Sequence, residues 1–217
     1  MTSEHPKIKF CGITRLEDAE LAVGLDAWAI GLIFWPQSPR RCPLPDAIEI
    51  AATVKRRIEV AGVFANATLD EVASTADAVG LTMIQLHGQE GPAFCAEAAR
   101  RTGAKVIKAA RVRSGAEIQA LAPFHTDYHL LDSYAPGRPG GTGESFAWEL
   151  ARTHGADVPL ILSGGLKPEN VADAIEVVRP FAVDVASGVE RSPGVKDPDK
   201  LEAFARAVRS TAAISLR

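Results

Sequence analysis

A chain of 217 residues with 47% apolar and 24% charged side chains can bury roughly 70% of its unfolded surface as one domain. Its net charge of −3 sets up no field that would draw in nucleic acid, so any anion site must be local. Three cysteines with no C-x-x-C pair indicate neither a disulfide framework nor a zinc site, and no apolar run reaches the roughly 18 residues of a membrane span.

The chain opens on polar residues, "MTSEHPKIK", without the apolar core of a signal peptide, so a cytoplasmic location is expected. Short runs rich in Ile, Val, Leu and Phe then follow at Ile8–Cys11, Ala29–Phe34, Val60–Phe64, Met83–Leu86, Lys105–Lys108, Tyr128–Asp132, Leu160–Ser163 and Val183–Ala186. These read as buried strands. Between them, stretches such as "LEDAELAVGL", "LPDAIEIAATVKRR", "LDEVASTADAV", "GPAFCAEAARRT", "PENVADAIEVV" and "DKLEAFARAVRS" carry apolar residues at helical spacing. Strict alternation of apolar strands and amphipathic helices predicts a parallel sheet covered by helices. Eight such units predict an α/β fold, a single (β/α)8 TIM barrel over residues 1–217 with its core at about 7–210. The bland competitor is a doubly wound open sheet, and the missing G-x-G-x-x-G after the first strand argues against its dinucleotide-binding form.

In a barrel, the chemistry gathers at the C-terminal ends of the strands. The unusual residues of this chain fall there. Glycine clusters follow strands six, seven and eight, in "PGGTGESF", "LSGGLKPEN" and "DVASGVERSPGVKD". Glycine lets backbone N–H groups turn in towards an anion, so these loops predict a phosphate site and a small phosphorylated metabolite as ligand. Asp132 ends "YHLLD", where it is either a general acid or base or the cap of the next turn. Arg40 and Arg41 in "FWPQSPRR" can grip a carboxylate or phosphate, or can lie in solvent. His87 in "QLHG" reads as a core or supporting histidine, since no second histidine stands at metal-ligand spacing and no metal site is proposed. Cys42 and Cys95 read as incidental. Cys11 is the one thiol at a catalytic strand end, and by itself it is either a small core residue or an ionisable base or nucleophile.

Together, "KFCGITRLEDA", "FWPQSPR", "AGVFAN", "IQLHG", "LLD…GGTGESFAW", "LSGGLKPENV", "RPFAVDVASGVE" and "PGVKD" closely resemble the phosphoribosylanthranilate isomerases of tryptophan biosynthesis over nearly the whole length. The resemblance implies an Amadori rearrangement of N-(5-phosphoribosyl)anthranilate to 1-(2-carboxyphenylamino)-1-deoxyribulose 5-phosphate. It implies Asp132 as general acid at the furanose oxygen, Cys11 as the base that takes the C2 proton, and Arg40 as the grip on the anthranilate carboxylate. Gly141, Gly143, Gly164, Gly165, Ser187 and Gly188 would form the phosphate site, with Lys9, Gln85 and His87 in support. Lys9 falls on the Cys11 side of strand one by alternation, where its charge would favour the thiolate.

Such chemistry calls for no metal, redox cofactor or nucleotide, and for no nucleic acid or membrane partner; family members are monomers or homodimers. The sequence departs from the family pattern at Arg41, where an aromatic residue is common, and at Ala186, where a serine is usual; Arg138 has no assigned role. The alternatives are a related phosphosugar barrel, such as the histidine-pathway aminoaldose isomerase or indoleglycerol phosphate synthase, and a non-catalytic phosphometabolite-binding barrel. The histidine-pathway enzyme would place an aspartate where Cys11 stands, the synthase would need a catalytic lysine and glutamate early in the chain, and a sensor would need no proton-transfer pair.

Overall fold

The structure is a computed structural model that describes residues 5–132, 148–155 and 157–211. Eight parallel strands close into a barrel in chain order. They are β1 (Lys7–Cys11), β2 (Ala29–Ile33), β3 (Glu59–Phe64), β4 (Met83–Leu86), β5 (Lys105–Arg111), β6 (Tyr128–Asp132), β7 (Leu160–Ser163) and β8 (Ala182–Val185). Closure runs through β8 and β1, with Ile8 opposite Val183 and Lys9 opposite Asp184. The fold is therefore the (β/α)8 barrel, and the open sheet is excluded.

The helices are α1 (Leu16–Gly24), α2 (Leu44–Val54), α3 (Leu69–Val79), α4 (Pro92–Thr102), α5 (Gly115–Gln119), α6 (Val171–Val178) and α7 (Pro198–Thr211), and residues 148–151 are also helical. Local chemistry sets several ends. Thr68 and Glu71 form a reciprocal capping box before α3, and Gly80 closes it in the left-handed conformation. Helix α6 starts at Val171 rather than at Pro168, because Asn170 Oδ1 accepts from the Lys167 amide at 2.8 Å and its Nδ2 donates to the Gly165 carbonyl at 3.1 Å. Those bonds tie residues 165–170 into a turn. Strand β5 runs on to Arg111, beyond the expected Lys108, because β6 continues to pair with it as far as Asp132.

The segment after β8 is more ordered than a glycine loop. A single 3-10 turn at Ser187–Val189 leads into an antiparallel hairpin, β9 (Glu190–Ser192) and β10 (Val195–Lys196).

Two apolar layers support the site. The larger lies between strands and helices; the smaller fills the barrel with Ala29, Ala61, Met83, Ile107, Ala109, Leu130, Ile161 and Ala182. Alanines on four strands alternate with bulkier residues, which fills the interior without a pore. At the N-terminal end, Trp28, Tyr128 and Phe181 meet ring against ring and form an aromatic floor. Because side chains alternate in and out, the inward positions one step above this layer are Gly31, Gln85, Asp132, Ser163 and Asp184. The apolar plug thus pushes the polar set up into the mouth. No helix among the described residues is long and apolar enough to cross a membrane.

Candidate active site

Cys11 is the last residue of β1 and is 6% exposed. Its sulfur lies over Gly31 of β2: a methyl group built on that glycine would stand 2.8 Å from Sγ and 3.1 Å from Lys9 Nζ. The glycine is the space in which thiol and ammonium meet. Lys9 is completely buried and donates to Asp184 Oδ1 at 2.7 Å, while the Ser163 hydroxyl donates to Asp184 Oδ2 at 2.9 Å. Burial pushes the Cys11 thiol up and Lys9 pulls it back, with the net result above its ordinary value. Burial opposes the charge on Lys9 too, but Asp184 and then Cys11 outweigh it, so the lysine is held as an ammonium.

Arg40 reaches the same region from the loop after β2. Its Nε donates to both oxygens of Glu190, at 2.9 and 3.0 Å, and its Nη2 donates to Oε2 at 2.8 Å. The aliphatic stem covers Gly12, whose φ of 74° belongs to the left-handed region; a Cβ there would come within 2.9 Å of Arg40 Cδ. Arg41 is exposed and its backbone bridges to Ile33, so of the two arginines only Arg40 leans over the end of β1. Glu190 is buried, and burial alone would raise its carboxyl. Arg40 and Lys196 more than reverse that, leaving it below the usual carboxylate range.

Across the mouth, Asp132 ends β6 with its side chain 19% exposed. His87 Nε2 lies 3.6 Å from Asp132 Oδ2, too long for a formed hydrogen bond. Gln85, on β4 and buried, has its Nε2 3.3 Å from His87 Nδ1. With the amide donating, the ring proton sits on Nε2, the side that faces Asp132.

The loops after β7 and β8 interlock. Gly164 and Gly165 have φ of 92° and 65°, a backbone that other residues rarely adopt. Gly188 lies against the Leu166 carbonyl so closely that a Cβ would overlap it and come within 3.1 Å of Lys167 Cα. Ser187, Gly164 and Gly165 remain at least partly exposed above this contact. The two segments pack into one surface after β7 and β8, the place where barrels hold phosphate.

The family description N-(5'-phosphoribosyl)anthranilate (PRA) isomerase matches residues 8–207. The chain belongs to that family. A relative of the same name from Citrifermentans bemidjiense is 47% identical over 195 residues, covering 90% of this chain and 93% of that protein. The crystal structure of phosphoribosylanthranilate isomerase from Thermotoga maritima superposes with a TM-score of 0.87 at 39% identity, covering 94% of this chain and 99% of that one. A phosphoribosylanthranilate isomerase in complex with reduced 1-(o-carboxyphenylamino)-1-deoxyribulose 5-phosphate superposes with a TM-score of 0.83 at 37% identity, covering 94% and 99%. These relatives do not favour the histidine-pathway enzyme or a non-catalytic barrel.

Within this isomerase fold, the strand ends bring together Cys11, Lys9, Asp132, His87, Gln85, Gly164, Gly165, Ser187 and Gly188, with Arg40 reaching in from its loop. Gly141 and Gly143, and Arg138 beside them, lie outside the described residues. Sequence reading missed Asp184, Ser163, Glu190 and Lys196. Asp184 carried a signal, an acid inside the apolar run "AVDV" opposite a lysine in "KIKF". Glu190 and Lys196 carried none while their segment read as an open loop. Also missed is a pair on the outer side of β6, where His129 Nδ1 and His154 Nε2 are 2.9 Å apart and His129 Nε2 meets the Phe124 carbonyl at 2.8 Å. No group of three or more potential metal ligands occurs among the described residues.

Proposed function

We propose that Cys11 and Asp132 are the proton-transfer pair of this isomerase, acting on N-(5'-phosphoribosyl)anthranilate in tryptophan biosynthesis. Asp132 gives its proton to the ring oxygen of the ribose, the C1–O bond breaks, and the nitrogen lone pair forms the C1=N iminium. The Cys11 thiolate then takes the C2 proton, and that bond's electrons flow into the iminium to give an enolamine. Loss of the C2 hydroxyl proton and protonation at C1 yield the aminoketose. The iminium is the electron sink, so the step draws on groups the substrate itself carries. The new cation also stands beside the thiol and, added to Lys9, offsets the burial that disfavours a thiolate.

Arg40 takes the anthranilate carboxylate on the part of its guanidinium that Glu190 leaves open. The residues around Gly164, Gly165, Ser187 and Gly188 take the phosphate, with Gly141 and Gly143 as further contributors. The phosphate lies away from the reacting carbons, so its binding energy orients the sugar between base and acid.

The observation that carries the reading is the placement of Cys11 on β1 and Asp132 on β6, at opposite sides of one mouth, beside interlocked glycine loops on β7 and β8. A chain working as one barrel domain in the cytoplasm, as monomer or homodimer, accompanies this reading. The decisive experiment feeds freshly made phosphoribosylanthranilate to the purified protein in the presence of a chelator and follows loss of anthranilate fluorescence. Turnover supports the reading. A folded protein that leaves the fluorescence unchanged ends it.

A further inference from the structure

Lys196 is the second completely buried lysine beside Cys11, and the mechanism above gives it no task. It sits on β10, in a hairpin that sequence reading took for loop. Its ammonium donates to the Cys11 carbonyl at 2.6 Å, to the Ala186 carbonyl at 3.1 Å and to Glu190 Oε1 at 3.1 Å. One nitrogen thus ties the end of β1, the start of the β8 loop and the carboxylate that holds Arg40. The hairpin is also fastened from outside, where the Lys196 amide donates to Asp18 Oδ2 at 3.2 Å and Lys200 Nζ to the Glu190 carbonyl at 2.8 Å, and within itself, where the Gly194 amide donates to Glu190 Oε1 at 3.2 Å.

The charges around the thiol add up in a particular way. Lys9 on β1 pairs with Asp184 on β8, and Lys196 on β10 shares Glu190 on β9 with Arg40 from the β2 loop. Ser163 on β7 and Gly31 on β2 complete the surroundings and are neutral. Asp18 is already matched by Arg15, 2.6 Å away. Three cations therefore face two carboxylates; the two lysines and both carboxylates are buried, while the Arg40 side chain is 23% exposed, so the surplus positive charge lies at the open edge of the cluster. A thiolate on Cys11 cancels it. The nearby ammonium groups therefore lower the cost of ionising Cys11, although burial still leaves the thiol above its ordinary value and pulls Lys196 below its own.

We propose that Lys196 and Glu190 are a positioning pair for the base: Lys196 fixes the backbone of Cys11 and supplies positive charge near its sulfur, while Glu190 limits that charge and shares it with Arg40. This inference rests on the reading of Cys11 as the base. The position of Lys196 fits the role, since its charge acts on the thiol from the carbonyl side of β1 and leaves the sulfur facing Gly31 and the mouth.

The test reads the thiol directly. Ultraviolet thiolate absorbance is followed against pH for the unaltered protein, Lys196→Met and Glu190→Gln, each minus its Cys11→Ser counterpart. Lys196→Met removes a cation and is expected to move the midpoint up by about one pH unit; Glu190→Gln removes an anion and moves it down by a similar amount. The acidic limb of kcat/KM follows the same two directions. A merely structural pair would perturb both variants the same way, so midpoints that shift together, or not at all, overturn the proposal. If Lys196→Met does not fold, Glu190→Gln, which keeps the shape of the side chain, decides alone: an unmoved midpoint overturns it. Turnover by Cys11→Ser is a separate measurement. Near-native activity there would remove the base reading and leave the thiolate midpoints standing on their own.

Discussion

The two sides of the barrel mouth are built differently. On the β1–β8–β2 side, Cys11 is enclosed by two wholly buried lysines, each matched to a carboxylate, and by a glycine whose missing side chain makes the space. On the β4–β6 side, Asp132 and His87 are partly exposed and meet at 3.6 Å. The contrast suits the two proton transfers proposed for Cys11 and Asp132. Taking a proton from carbon needs a base held dry and in line, because carbon acids ionise with difficulty and water would compete. An acid that protonates an oxygen must be recharged every turnover, and contact with solvent does that. Enclosure is greatest where the harder of the proposed steps lies.

Removing either of the two proposed reacting groups should produce the largest effects. Cys11→Ser and Asp132→Asn are each expected to lower kcat by about 10²–10⁴-fold with KM little changed, as steady-state fluorescence assays would show. If Asp132→Asn alone kept near-native turnover, the acid would have to be sought elsewhere on the open side.

Gly31→Ala attacks the base side without touching a reacting atom. Its new methyl group would crowd both Sγ and Lys9 Nζ, and a displacement on the order of 1 Å costs about 10² in kcat. Retained activity in this variant would show that the enclosed side is less exacting than argued. His87→Gln on the acid side should cost less, up to about tenfold in kcat, since it removes one weak contact to Asp132.

Gly188→Ala sharpens the comparison from the phosphate side. The methyl overlaps the Leu166 carbonyl, so we expect a loss of about 1–3 kcal/mol in chemical denaturation, together with a raised KM.

Two pH effects follow. Burial holds the Cys11 thiol above its ordinary value, so kcat/KM should climb with pH past neutrality, by up to about tenfold per unit until the thiol ionises. A plateau already reached in mild acid would contradict this. The smallest effect belongs to His129 and His154, both pushed below the ordinary 6.5 by burial. The unfolded chain then binds protons that the folded chain refuses, so this contribution to stability is intact above 6.5 and lost as pH falls below it. Tm measured across that range should fall on the acid side, and less steeply in His154→Gln.

Most of the barrel was legible because its signals are local. Apolar runs and helical spacing mark each unit, and Cys11, Asp132 and the glycine pairs stand at strand ends where a parallel barrel puts its chemistry. What escaped was the set of partners. Lys9 and Asp184 lie 175 positions apart, Arg40 and Glu190 150, and Lys196 and Cys11 185. The segment 186–197 looked like loop because its strands have three and two residues, too short for a periodic pattern.

By itself, the sequence determined the order of units, the class of fold and which side chains could do chemistry, because propensity and alternation act between near neighbours. Only the tertiary structure decided which charges stand beside the thiol and which arginine leans over it. Closing the barrel through β8 and β1 brings its first and last strands together, and the pairing of Lys9 with Asp184 beside Cys11 exists only across that seam.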